Sequence, residues 1–165
     1  MKQTTTTLTI GQSYGGGKIA YLLQSGDPGY DPAVQHGLIA ASGDQSTGVQ
    51  WYNGSYTNTY ATGTAIGTGL SNTMAIIANQ GAGSYAAIVA RSYTGGGNTD
   101  WYLPSKDELN KLYINQAEIG GFASGFYWSS SEADFMFVWF EDFAGGTQTP
   151  FDKEFASYVR ALRAF

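Results

Sequence analysis

A chain of 165 residues without cysteine is long enough to bury a core unaided, and it has no disulfide, thiol catalyst or Cys-ligated metal. Its net charge of −5 and the lack of any basic cluster speak against nucleic acid and anionic membrane as partners. With 23 glycines and only 13% charged residues, the composition predicts a compact, turn-rich fold and not a disordered tail.

One domain, residues 1–165, is expected, because neither an internal repeat nor a linker interrupts the chain. Residues 1–10 are Thr-rich and read as an N-terminal arm or first strand; they lack the apolar run of a signal peptide. Residues 11–17 form a glycine turn cluster. The apolar runs 19–23 and 37–41 predict buried strands, and 49–52 a third. A Gly/Thr/Asn/Tyr-rich loop follows to about residue 69. Two short helices come next: 72–79, with Met74, Ile77 and Ala78 as its apolar stripe, and 85–91, with Tyr85, Ile88 and Val89 on one face and Ser84 as its cap. Ser105 then opens the clearest helix, with Ser105 and Glu108 as a capping box and Leu109, Leu112 and Tyr113 as the buried stripe. Strands are expected at 126–129, 138–143 and 158–164. The whole is an α+β pattern of short helices, small antiparallel sheets and many loops. No run approaches about eighteen apolar residues, so no membrane insertion is expected.

Catalytic motifs are scarce. Gly15-Gly16-Gly17-Lys18 lacks the earlier Gly of a phosphate loop and is followed by Ile19 where Ser or Thr is needed. The single histidine, His36, has no Gly-x-Ser-x-Gly to serve. Ser129, Ser130 and Ser131 are expected to satisfy nearby backbone groups. Asp27, Asp31, Glu132, Asp134, Glu141, Asp142, Asp152 and Glu154 offer oxygens that would suit Ca²⁺, but no spacing is that of an EF-hand loop. No cofactor and no enzymatic activity are therefore expected, with a carboxylate-based hydrolase as the remote alternative.

The tail breaks the pattern of a half-exposed strand. Residues 133–157 hold Phe135, Phe137, Phe140, Phe143, Phe151 and Phe155, six of the nine Phe in the chain. Bulk falls on both strand faces: Phe135, Phe137, Trp139 and Phe143 on one, Met136, Val138 and Phe140 on the other, where alternation with polar residues is the rule.

Several stretches, in this order, resemble a known family: Tyr14-Gly15-Gly16-Gly17, Gln35-His36-Gly37-Leu38-Ile39-Ala40-Ala41, Gln50-Trp51 and Gly81-x-Gly83-Ser84-Tyr85-Ala86-Ala87. Trp101-Tyr102-Leu103-Pro104-Ser105-Lys106-Asp107-Glu108-Leu109, Tyr127-Trp128-Ser129-Ser130-Ser131-Glu132 and Val159-Arg160-x-x-Arg163-x-Phe165 complete the set. The chain resembles the variable proteins of diversity-generating retroelements, which carry a C-type-lectin fold of the formylglycine-generating-enzyme type. That enzyme branch resembles a thiol oxidase, which a chain without cysteine cannot be.

The resemblance implies a non-enzymatic ligand-binding protein whose region at about 128–165 is diversified by inaccurate copying of template adenines. Residues 133–157 contain no Asn and are rich in Phe, Ala, Asp and Thr, all reachable from an Asn codon. Trp139, Gln148 and Lys153 are not reachable and are expected to be scaffold, with Glu141 beside them; Met136 and Glu154 fit a Lys-codon origin instead. The implied binding positions are Ala133, Asp134, Phe135, Met136, Phe137, Phe140, Asp142, Ala144, Thr147, Thr149, Phe151, Asp152, Glu154, Phe155 and Ala156. Among them Phe135, Phe137, Phe140, Phe151 and Phe155 are expected to point outward as one apolar patch, oriented and kept soluble by Asp134, Asp142 and Asp152. Trp128, Trp139, Phe143, Tyr158, Arg160, Arg163 and Phe165 are expected to be framework, with the arginines pairing carboxylates such as Glu132. The implied partner is a protein or glycan on a target surface, and the implied location a virion (a phage tail) or a cell surface; the oligomeric state stays open. The alternative is a constant bacterial or phage surface adhesin domain of the same fold.

Overall fold

A computed structural model describes residues 7–165, so the expectation for residues 1–6 lies outside the described residues. The strands are β1 (Ser13–Tyr14), β2 (Gly17–Leu22), β3 (Gly37–Ala40), β4 (Ser46–Gln50), β5 (Phe126–Glu132), β6 (Phe137–Asp142), β7 (Gln148–Asp152), β8 (Ala156–Val159) and β9 (Leu162–Ala164). They form a four-stranded sheet in the order β1-β2-β3-β9 and a five-stranded one in the order β4-β8-β5-β6-β7. Every pairing is antiparallel except the short parallel contact of β5 with β8. Four short helices lie between the two groups of strands: α1 (Gly69–Gln80), α2 (Ala86–Arg91), α3 (Lys106–Ile114) and α4 (Gln116–Ile119). This is an α+β, C-type-lectin-like architecture.

The helix at Ser105 forms as its sequence dictates. Ser105 accepts from the Glu108 amide, and the Glu108 carboxylate accepts from the Ser105 amide, so two otherwise orphaned donors are satisfied reciprocally. Leu109 and Leu112 are buried beneath it. The other helices differ from expectation. α1 begins at Gly69 and buries Asn72, Thr73 and Ile76, while Met74 is 48% exposed. The stripe is rotated because its polar members serve distant backbone. Asn72 bonds the N–H and C=O of Gly63, and Thr73 accepts from the Leu103 amide. Ser84 does not cap α2; Tyr85 occupies that position without a side-chain cap and donates its hydroxyl to Gly81 O.

The expected strand 158–164 is two strands in two sheets. They are separated by Arg160, whose guanidinium is buried and bonds Asp44 Oδ1 (2.8 Å), Ala41 O (3.0 Å), Gly120 O (3.3 Å) and Gly121 O (2.5 Å). Arg163 pairs with Asp100 through Nε and Nη2, one to each carboxylate oxygen. The guanidinium holds the Asp100 carboxyl below its usual range. Neither arginine therefore meets Glu132, which corrects that expectation.

Ser129, Ser130 and Ser131 are buried, and Ser129 and Ser131 donate to Trp139 O and Gly63 O. They satisfy backbone, as expected of hydroxyls in such a strand. The Trp128 indole likewise donates to Val49 O.

Candidate functional site

The hairpin of β6 and β7 and the turns on either side carry the aromatic tail. Register sets its two faces. Phe137 lies opposite Asp152, Trp139 opposite Pro150 and Glu141 opposite Gln148; Val138 lies opposite Phe151 and Phe140 opposite Thr149. Alternation in burial, though not in residue type, holds over the first four residues of β6: Val138 and Phe140 are buried, Phe137 is exposed and Trp139 half-buried, and it ends at Glu141, which is buried.

Phe140 is thus core, a correction to its place among the outward rings. At 4% exposure it stacks between Phe126 at 4.7 Å and Phe151 at 4.6 Å, and Phe155 packs on Phe151 at 4.8 Å. The four rings run from surface through core to surface, with Phe126 48% and Phe155 51% exposed. Phe137 lies on the opposite face of the hairpin from this row, so the five rings do not form one patch. Phe135 instead meets Tyr56 edge-on at 6.0 Å, and Tyr56 packs on Tyr52. Phe143 is buried against Tyr127 and Phe122, as expected.

Of the other implied positions, Ala133, Asp134, Phe135, Phe137, Ala144, Thr147, Glu154, Phe155 and Ala156 are exposed, and Met136, Asp142, Thr149, Phe151 and Asp152 are half-buried. The three aspartates are not free orienting groups. Asp134 Oδ1 accepts from the amides of Met136 and Phe137, Asp142 Oδ1 from Ala144, and Asp152 Oδ1 from Glu154 and the Tyr56 hydroxyl. Each closes its own turn, the habit of Asp at loop starts.

Beneath these turns sits a buried ion pair. Lys153, fully buried, donates to Glu132 Oε1 at 2.5 Å, Phe135 O at 2.9 Å and Thr57 O at 3.1 Å, and lies 4.9 Å above the Trp51 ring. Burial pulls the Lys153 ammonium below its ordinary range, and Glu132 opposes that shift. Glu132 also accepts the amides of Thr59 and Tyr60. Tyr60 has φ 60, a left-handed backbone uncommon for a large residue, and its side chain is 79% exposed. Tyr56 thus joins the aromatic surface from the loop before α1, and Tyr60 stands exposed on the same loop. Sequence reasoning passed over them because the link runs through a buried carboxylate, although the Tyr/Thr/Asn-rich composition of that loop was a signal.

The outward-facing edge of β7 is poorly suited to pairing with another strand. Lys153 N donates to Met136 O and Asp142 N to Thr147 O, so the odd-numbered residues of β7 bond β6 while Gln148, Pro150 and Asp152 face the open edge. Pro150 removes an N–H there. Contacts through side chains are what this edge offers.

On the outer face, Lys106 lies 3.8 Å from the centre of the Trp139 ring, and Gln148 donates to Lys106 O and Glu141 Oε2. Glu141 is buried, and among the described residues its Oε1 has no hydrogen-bond partner. Burial raises its carboxyl from 4.5 to about 8, against the opposing pull of Gln148 and Lys106. An acid so raised binds its proton more tightly in the fold than in the unfolded chain. Stability therefore falls as pH rises from the ordinary carboxyl range toward about 8. Glu141→Gln is expected to flatten that fall by roughly 3 kcal/mol, read by urea unfolding at about pH 5 and about pH 8.

His36 Nδ1 lies 3.2 Å from Phe165 O, which as a carbonyl can only accept, and the ring lines an apolar cavity of about 420 Å³ with Leu38, Ile66 and Leu70. No cluster of three or more His, Asp or Glu lies together among the described residues. None of the described helices is long and apolar enough to cross a membrane. Two comparisons bear on this geometry. The model of the Lcl C-terminal domain matches residues 41–163, and no curated protein matches the chain.

Proposed function

Because the chain belongs to the Lcl C-terminal domain family, a C-type-lectin-like family associated with variable proteins of diversity-generating retroelements, we propose that residues 133–156 are its ligand-binding surface, diversified to recognise varied targets. Ligand binding is the general role of such domains, toward protein or glycan. The observation that carries the finer reading is a division of the tail. Phe135 and Phe155 stand 47% and 51% exposed, and Phe137 37% exposed on the other face of the hairpin, around a buried frame of Val138, Phe140, Glu141 and Lys153. Exposed rings provide contact area at low rotamer cost and suit the centre of a protein interface. We take the ligand to be a protein on a target surface, this domain to be displayed on a virion or a cell surface, and the binding to be non-enzymatic. The whole chain acts as one domain.

The locus offers the test. Sequences from several isolates are expected to differ at the exposed positions and to keep Trp128, Trp139, Phe140 and Arg163. A near-copy of codons 128–165, with Asn codons at the variable positions and a reverse transcriptase nearby, is expected beside the gene. Substitutions spread evenly over the chain, with no such copy, would overturn diversification.

One observation favours a second reading, a constant adhesin domain. Lysine codons are AAA or AAG, each with at least two adenines open to miscopying. Lys153 nevertheless stands inside the tail with its ammonium fully used by the fold. The same isolates decide between the two: an unchanging tail is the mark of the adhesin.

A further inference from the structure

Lys153 reaches three separate segments at once. Its ammonium has three donors, and all are spent: on Glu132 at the end of β5, on Phe135 O in the turn that follows, and on Thr57 O in the tyrosine-bearing loop. Its own backbone adds two further ties, Lys153 N to Met136 O and Trp51 N to Lys153 O. A carboxylate with two backbone carbonyls is a set of hard oxygen donors, the kind of shell that holds a divalent cation in many loop-built binding sites. Here the positive charge at their centre is a side chain of the same chain, and the Trp51 ring closes the remaining side.

We propose that Lys153 is the positioning residue of the binding surface, a built-in cation that joins residues 133–137 to the loop carrying Tyr56 and Tyr60, so that this surface keeps its shape without calcium. The inference rests on residues 133–156 being the binding surface. The tether is read without any ligand, so the two fail separately.

The test is amide hydrogen exchange of the full chain, followed at Thr59, Tyr60, Met136 and Phe137 and compared with Ile39 and Ala40 in β3. In the wild type, EDTA and added Ca²⁺ are expected to leave all six amides unchanged. In Lys153→Ala the first four are expected to exchange roughly tenfold faster while β3 stays protected. Propylammonium chloride, which replaces the deleted amine, is expected to restore them, and 1-propanol at equal concentration is not. Protection of the wild-type loop that depends on calcium overturns the proposal, as does equal rescue by 1-propanol. If Lys153→Ala does not fold, the double variant Lys153→Met/Glu132→Gln leaves no buried charge unpaired. The same local acceleration is expected in it, and unchanged exchange at the four amides contradicts the tether.

Discussion

An Arg160→Ala variant is expected to lose roughly 3–5 kcal/mol of folding free energy, because it leaves buried groups uncompensated. Arg160 is 1% exposed at the point where the chain passes from β8 in one sheet to β9 in the other. Its guanidinium spans Asp44 and the carbonyls of Ala41, Gly120 and Gly121, and its Cζ lies 4.0 Å from the centre of the Phe122 ring. Removing it strands those oxygens, and only the Tyr127 hydroxyl remains on Asp44. For a chain of this length the loss corresponds to a fall of about 10 °C or more in Tm. Arg160→Lys is expected to recover little, since a single ammonium cannot reproduce a planar fork reaching four oxygens. Urea unfolding of the three proteins gives the comparison.

Phenylalanines a few residues apart in the tail are expected to behave oppositely. Phe140→Ala opens a cavity between Phe126 and Phe151 and is expected to cost about 3–5 kcal/mol of stability. Phe135→Ala and Phe155→Ala remove rings that are about half in water, and each is expected to change stability by less than about 1 kcal/mol. In ligand binding the order reverses: each exposed ring is expected to contribute about 1–2 kcal/mol, a five- to thirtyfold change in Kd. The measurements are paired unfolding curves and titrations against a bound target. A tail in which stability and binding fell together at all three positions would not be divided into frame and surface.

Local chemistry was the legible part of this fold. The capping box at Ser105 and Glu108 is a matter of four adjacent residues, and the strands at β2, β3 and β5 announce themselves as apolar runs bounded by turns. What sequence could not order was long-range polar pairing. Asn72 and Thr73 look like the wet side of α1 until Gly63 and Leu103 are brought to them. Glu132 looks like a partner for arginine until Lys153 folds beneath it. β7 was missed altogether, since Pro150 and its polar neighbours Gln148 and Thr149 mask a strand that lies at a sheet edge, where proline is tolerated.

The candidate surface was half legible for the same reason. Residues out of reach of an Asn codon were expected to be scaffold, and Lys153 and Gln148 are tied by hydrogen bonds into the interior and the α3 terminus. Composition could not separate Phe140 from Phe137, because both are phenylalanine and only strand register divides them. Nor could it enrol Tyr56 and Tyr60, which arrive from a loop far away in sequence.

The most direct measurement is binding of the intact protein, beside a Phe135→Ala/Phe137→Ala/Phe155→Ala variant, to a displayed panel of cell-surface proteins and glycans, with unfolding curves for both. The expected result is a protein ligand held by the wild type and lost by the variant, while the two unfold at closely similar urea concentrations. Equal binding of the same ligands by both proteins would contradict a binding surface at residues 133–156.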